Sequence, residues 1–126
     1  MKKDLGNKKT QGIARILIYP SKNKYTGVCL DFDIIEEADT KEKAINQIKE
    51  ATRGYIVNIW KNNLDDSLLN RPAPEKYWEI YREYSRFITA KNEEKVKKIT
   101  TKIKSSSFFS FPISDFIGNK DLCFSR

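Results

Sequence analysis

Histidine is absent from all 126 residues. That gap removes Ser-His-Asp and Cys-His nucleophile systems, His-ligated metals and imidazole acid–base chemistry together. Cysteine is scarce as well: Cys29 and Cys123 stand far apart with no CxxC, so neither a zinc site nor a disulfide framework is expected. Free, reduced thiols in the cytosol are the reading this favours. No apolar run approaches the roughly 18 residues of a membrane span. The opening MKKDLGNKKTQG carries charge but no apolar stretch, so it does not read as a signal peptide, and the expected location is the cytoplasm. No internal repeat is visible.

What is present is a chain of one-domain length. Hydrophobic residues make up 39% and aromatics 12%, too much Ile, Phe, Tyr and Trp for a disordered chain. The formal net charge of +7 is unevenly placed. Residues 1–12 carry +3 and residues 91–126 carry +4, while 13–62 sum to +1 and 63–90 to −1. Basic ends around a balanced centre suggest solvated tails, with at most weak, sequence-independent affinity for nucleic acid.

Ile13–Tyr19 (IARILIY) is a short apolar run that predicts a strand. After the polar Ser21–Lys24, Tyr25–Phe32 alternates partially and predicts the second strand of a hairpin. Ile34 and Ile35 begin a shorter third strand that runs to Ala38. Asp39 with Glu42 three residues later reads as a capping box. The recurrence of Ala44, Ile45, Ile48, Ala51, Tyr55, Ile56 and Ile59 then predicts a helix from about Lys41 to Lys61. The expected core is one sheet face against this helix, with Ile16, Ile18, Val28, Leu30, Ile45, Ile48, Ala51 and Ile56 inside. Leu64–Pro74 is a connector with room for one helical turn, and Pro74 suits the start of a second helix. Along that helix Tyr77, Trp78, Tyr81 and Tyr84 form an aromatic stripe larger than a small core can cover, which predicts self-association. Lys91–Lys104 has the spacing of a marginal helix. Phe108–Ile113 suits a strand that Pro112 confines to an edge or an end.

The stretch Ala14–Asn62 resembles the HicB-like family of antitoxins. The residues that carry the likeness are Tyr25, Val28, Cys29 and Leu30 in the second strand, and Ala38-Asp39-Thr40-Lys41-Glu42-Lys43-Ala44 at the helix start, with Ala38 where the family has Gly. Ile45, Ile48 and Ala51 fall at the family's helix core positions. The resemblance implies a degenerate ribonuclease-H-like α+β fold. Its β-β-β-α core (13–62) is completed by a fourth strand into a three- to four-stranded antiparallel-type sheet. The aromatic helix is additional and C-terminal, residues 1–12 are a basic tail, and 63–126 are an extension of the same domain. It also implies a partner: a small, RNA-cleaving HicA-type toxin. Residues 63–126 show no helix-turn-helix of the kind many members use to bind their promoter.

A ribonuclease-H-like outline raises the question of metal-dependent hydrolysis, which needs carboxylates converging from separate elements. Asp31, Asp33, Glu36, Glu37 and Asp39 are five acids in nine residues, but all come from one local segment. The first strand offers only Arg15. The expectation is therefore a binding module with no catalytic residues, metal or cofactor, whose acidic segment meets a basic partner surface. Two further readings remain open, a nucleic-acid-binding regulator acting through the basic ends and a nuclease-like enzyme. Cys29 reads as a small buried hydrophobe.

Overall fold

The computed structural model describes residues 5–90 and 106–117, and for 87–90 the backbone alone. The chain runs β1 (Ile13–Ser21), β2 (Lys24–Cys29), β3 (Ile34–Ala38), α1 (Lys41–Lys61), α2 (Glu75–Ala90) and β4 (Ser107–Pro112). Single 3-10 turns at Asp66–Leu69 and Ile113–Phe116 sit in the connections. All strands are antiparallel in the order β3-β2-β1-β4. The fold is α+β, as expected. The segment Lys91–Lys104, with the marginal helix expected there, and Cys123 lie outside the described residues.

The apolar run of β1 is continuous because both faces of the sheet are covered. Ile16 and Ile18 point to one face and enter a core with Ala44, Ile48, Ile56 and Ile59 of α1. Leu17 and Tyr19 point to the other and join Val28, Leu30, Tyr77 and Trp78. The single core expected from the sequence is thus two. Val28 and Leu30 are fully buried, but on the α2 side, because Val28 is the cross-strand partner of Leu17 whereas Ile16 faces Cys29. Ile45 is half-buried at the rim of the α1 core, and Ala51 is half-buried. The aromatic helix precedes β4 in the chain and forms the third layer of the fold. It is not a C-terminal addition.

Close approach of α1 depends on Gly27. A Cβ there would lie 3.0 Å from both Cβ and Cγ2 of Ile48 and 3.1 Å from Ile18 Cδ1. The helix begins one residue later than a cap at Asp39 would have it. Thr40 is the N-cap, its hydroxyl accepting from Lys43 N–H at 3.1 Å, so Lys43 stands where a capping box needs Glu or Gln and Glu42 falls one position short of it. It ends in a Schellman arrangement: Leu64 N–H donates to Ile59 O at 3.0 Å and Asn63 N–H to Trp60 O at 3.3 Å. Asn63 takes the left-handed conformation (φ 47°) that asparagine tolerates.

β2 stops at Cys29, short of the expected Phe32. The chain turns through 30–33, with Asp33 N–H donating to Cys29 O at 3.0 Å and Asp33 at φ 57°. The turn sends Phe32 back to the α1 core, against Tyr55 at 5.2 Å between centroids. After α1 the chain must cross to the other face of the sheet. It does so along this turn: Arg71 N–H donates to Asp31 O and Ala73 N–H to Leu30 O, each at 2.9 Å.

Candidate functional site

The five acids expected to act together divide into two groups. Asp31 is fully buried. Its Oδ2 accepts from Arg15 Nη1 at 2.5 Å and from Asn7 Nδ2 at 3.1 Å, and its Oδ1 accepts from Arg15 N–H at 2.9 Å. Arg15 in turn lies over the ring of Trp78, 5.8 Å from its centroid. Burial raises the pKa of Asp31 above the ordinary aspartate value, and Arg15 and the donated hydrogen bonds pull it part of the way back. Asp31 therefore does not belong to an exposed binding edge. It is the anchor at which the chain changes faces.

Asn7 completes that anchor. It donates through Nδ2 to Leu69 O at 2.9 Å, accepts through Oδ1 from Ile13 N–H at 2.9 Å, and its backbone exchanges two 2.8 Å bonds with the side chain of Asn70. Lys9 pairs with Asp66 at 2.7 Å and also donates to Leu64 O. Residues 7–12 are thus built into the domain and are not a free basic tail. An open cleft of about 380 Å³ lies beside them, bordered by Gly6, Asn7, Gln11, Gly12 and Arg15. Lys8 and Arg15 are the cations that line it, and Arg15 is already committed to Asp31.

The other four acids stay at the surface. Asp33 is exposed in the turn before β3, Glu36 and Glu37 lie on β3, half-buried and exposed, and Asp39 is exposed at its far end. No lysine or arginine interrupts residues 25–40. β3 is an edge strand, and among the described residues no strand pairs with its outer side. Ile35 on the same strand is 42% exposed, one of two large hydrophobic residues left so open among the described residues. Its cross-strand partner is Val28, and Val28's is Leu17, so an apolar row runs from the α2-side core out to the free edge.

The aromatic stripe is distributed differently from the expectation. Tyr77 and Trp78 are buried within the protomer, Tyr77 against Tyr19 at 6.2 Å and Trp78 against Tyr81 at 6.0 Å. Tyr81 stacks on Phe108 at 4.3 Å. Tyr81 and Tyr84 are half-buried. The rings cover the second sheet face, packing on Leu17, Tyr19 and Val28. Tyr77 and Trp78 are therefore not a free self-association surface.

Cys29 is fully buried, and burial, with the Asp31 carboxylate behind it, pushes its thiol up to about 12. Its neighbour is the Thr52 hydroxyl. A thiol so far from ionisation is packing, not a nucleophile. Among the described residues no three His, Cys, Asp or Glu side chains gather as a metal site, and no helix is long and apolar enough to cross a membrane. No family model, curated protein or solved structure matches the chain.

Proposed function

We propose that the chain is an antitoxin-like binding module that neutralises a small RNA-cleaving toxin of the HicA type. The observation that carries the reading is the uninterrupted acidic rim of β3, where Asp33, Glu36, Glu37 and Asp39 stand without a basic residue between positions 25 and 40. A ribonuclease must hold a polyanion, so its substrate face is basic, and a protein that masks it has to present the opposite charge. The resemblance of Ala14–Asn62 to HicB-like antitoxins supports the same partner, and the order of three strands followed by a packed helix agrees with it. Asp31, the only acid of the segment placed inside the fold, is held by Arg15 and Asn7 and contributes to stability instead.

The test uses the protein encoded by the adjoining reading frame. Inhibition of its RNA cleavage by the full chain is expected. Changing Asp33, Glu36, Glu37 and Asp39 together to their amides should slow association at low salt and leave dissociation nearly unchanged, because exposed charges steer encounter more than they hold a complex. Surface plasmon resonance at low and high salt reads both rates. Cleavage that continues undiminished at saturating chain overturns the proposal, and so does an association rate equal for variant and parent.

A further inference from the structure

The free edge of β3 joins three features that protection of an edge does not need together. It is unpaired on its outer side among the described residues, it is flanked and studded by carboxylates, and it leaves Ile35 in water. Edge strands are ordinarily blunted by charge, proline or bulges so that nothing adds to them. β3 contains no proline, and its five residues pair with β2 in continuous register from Ile34 to Ala38, without a bulge. We propose that β3 is a strand-addition site, completed by an extended, basic segment of a partner protein that becomes the fifth strand of the sheet.

The charges decide the occupant. A second copy of β3 laid antiparallel about Glu36 sets one Glu36 against the other, and like charges directly opposite destabilise a pair. The same carboxylates favour a strand that carries lysine or arginine at alternate positions. Glu36 faces the α1 side, since its partner is Gly27, and Glu37 faces the α2 side, since its partner is Thr26. Basic residues on either face of the incoming strand therefore find a counter-charge. On the α2 side Ile35 extends the apolar row of Leu17 and Val28 by one position, and a β-branched or aliphatic residue of the added strand would continue it. In this mode of recognition main-chain hydrogen bonds supply affinity and alternate side chains supply selectivity.

The proposal rests on the reading of the chain as a protein-binding module and adds how the partner is held. It is tested on the isotope-labelled full chain with a short capped peptide alternating lysine and valine. Binding should slow hydrogen exchange at alternate amides of Ile34–Ala38, and the Ile35→Lys variant should bind about tenfold more weakly or worse, because it sets like charges together. Ile35→Lys should melt with the parent, since the side chain it replaces is already exposed. A control peptide of the same charge with proline in place of valine should give no protection. Equal effects from the two peptides would reduce the contact to charge alone and overturn strand addition. A toxin that binds without protecting β3 amides also overturns it, while leaving the proposed function intact. Protection by the lysine–valine peptide with no binding of the toxin supports strand addition and removes the proposed partner instead.

Discussion

Asp31 carries its charge out of reach of water, and its neighbours fix what that means. All three groups within hydrogen-bonding distance of its oxygens are donors, so truncation leaves Arg15, Asn7 and a backbone N–H without their acceptor. Asp31→Ala is expected to cost about 3–5 kcal/mol in a denaturant titration, nearer the lower figure because the Arg15 side chain stays 25% exposed and can be partly hydrated. The raised pKa gives the pH dependence its sign. A carboxyl whose native pKa exceeds its unfolded value binds the proton more tightly when folded. Its contribution is complete below the ordinary aspartate value and is lost as the pH rises through the higher native one. Relative to Asp31→Asn, which does not titrate, the parent should therefore lose stability across that interval, and melts at stepped pH would show the difference between the two moving in favour of the variant. The hairpin tip offers a change of the opposite sign. Lys22 sits at φ 58°, which costs an L-residue about 1–2 kcal/mol. Glycine removes that strain and returns about 0.5–1 kcal/mol through the unfolded chain. Lys22→Gly should raise stability by about 0.5 kcal/mol, and a lowered melting temperature would contradict the strain.

The helix α1 is the element that most depends on one partner surface, and Ile48 and Gly27 are the two sides of that contact. Ile48→Ala should cost about 2–5 kcal/mol, because a fully buried side chain leaves a cavity behind it. Gly27→Ala should cost about 1–3 kcal/mol by pushing Ile48 and Ile18 aside. The two changes together should cost less than their sum, since shortening Ile48 removes the Cγ2 that the new methyl meets, and a double-mutant cycle measures the difference. This element also marks what was legible beforehand. Its limits, Lys41 and Lys61, follow from a strong three-and-four spacing ended by Asn62-Asn63, and the hairpin follows from two apolar runs around a polar tip. The face assignment of β2 did not follow. Its alternation is readable, but which set meets α1 is decided by the register Ile16 to Cys29, a long-range fact, and by the size limit at Gly27. The division of the acids was hidden for the same reason. Asp31 looks like its neighbours in sequence, and only the crossing of residues 71–73 and the return of Asn7 place it inside. Arg15, lone in an apolar strand, was the available signal that a buried counter-charge existed.

At the scale of the whole molecule, the sheet is held between two helices of different character, and the aromatic one decides whether the second face stays dry. Trp78 is the centre of that layer: 5% exposed, edge-on to Tyr81, and under the Arg15 guanidinium that also grips Asp31. Arg15 thereby ties the aromatic layer to the chain crossing, so damage at either point should be felt at the other. Trp78→Ala is expected to cost about 3–5 kcal/mol, the usual penalty for emptying a large aromatic site. Trp78→Phe, which keeps most of the ring and a face for Arg15, should fall between that variant and the parent. Because Trp78 is spent within the protomer, neither change should shift the sedimentation coefficient of the folded protein. A dissociation of oligomers by Trp78→Phe at unchanged melting temperature would return the ring to an intermolecular role. The coupling supplies the sharper measurement. With Asp31→Asn in the background, Arg15 is no longer held by a carboxylate, and the loss on Trp78→Ala, which removes the ring beneath Arg15, should change by about 0.5–1 kcal/mol, the size of a cation–ring contact. Strict additivity of the two substitutions would mean that the aromatic layer and the chain crossing are stabilised separately, and that Arg15 touches both without joining them.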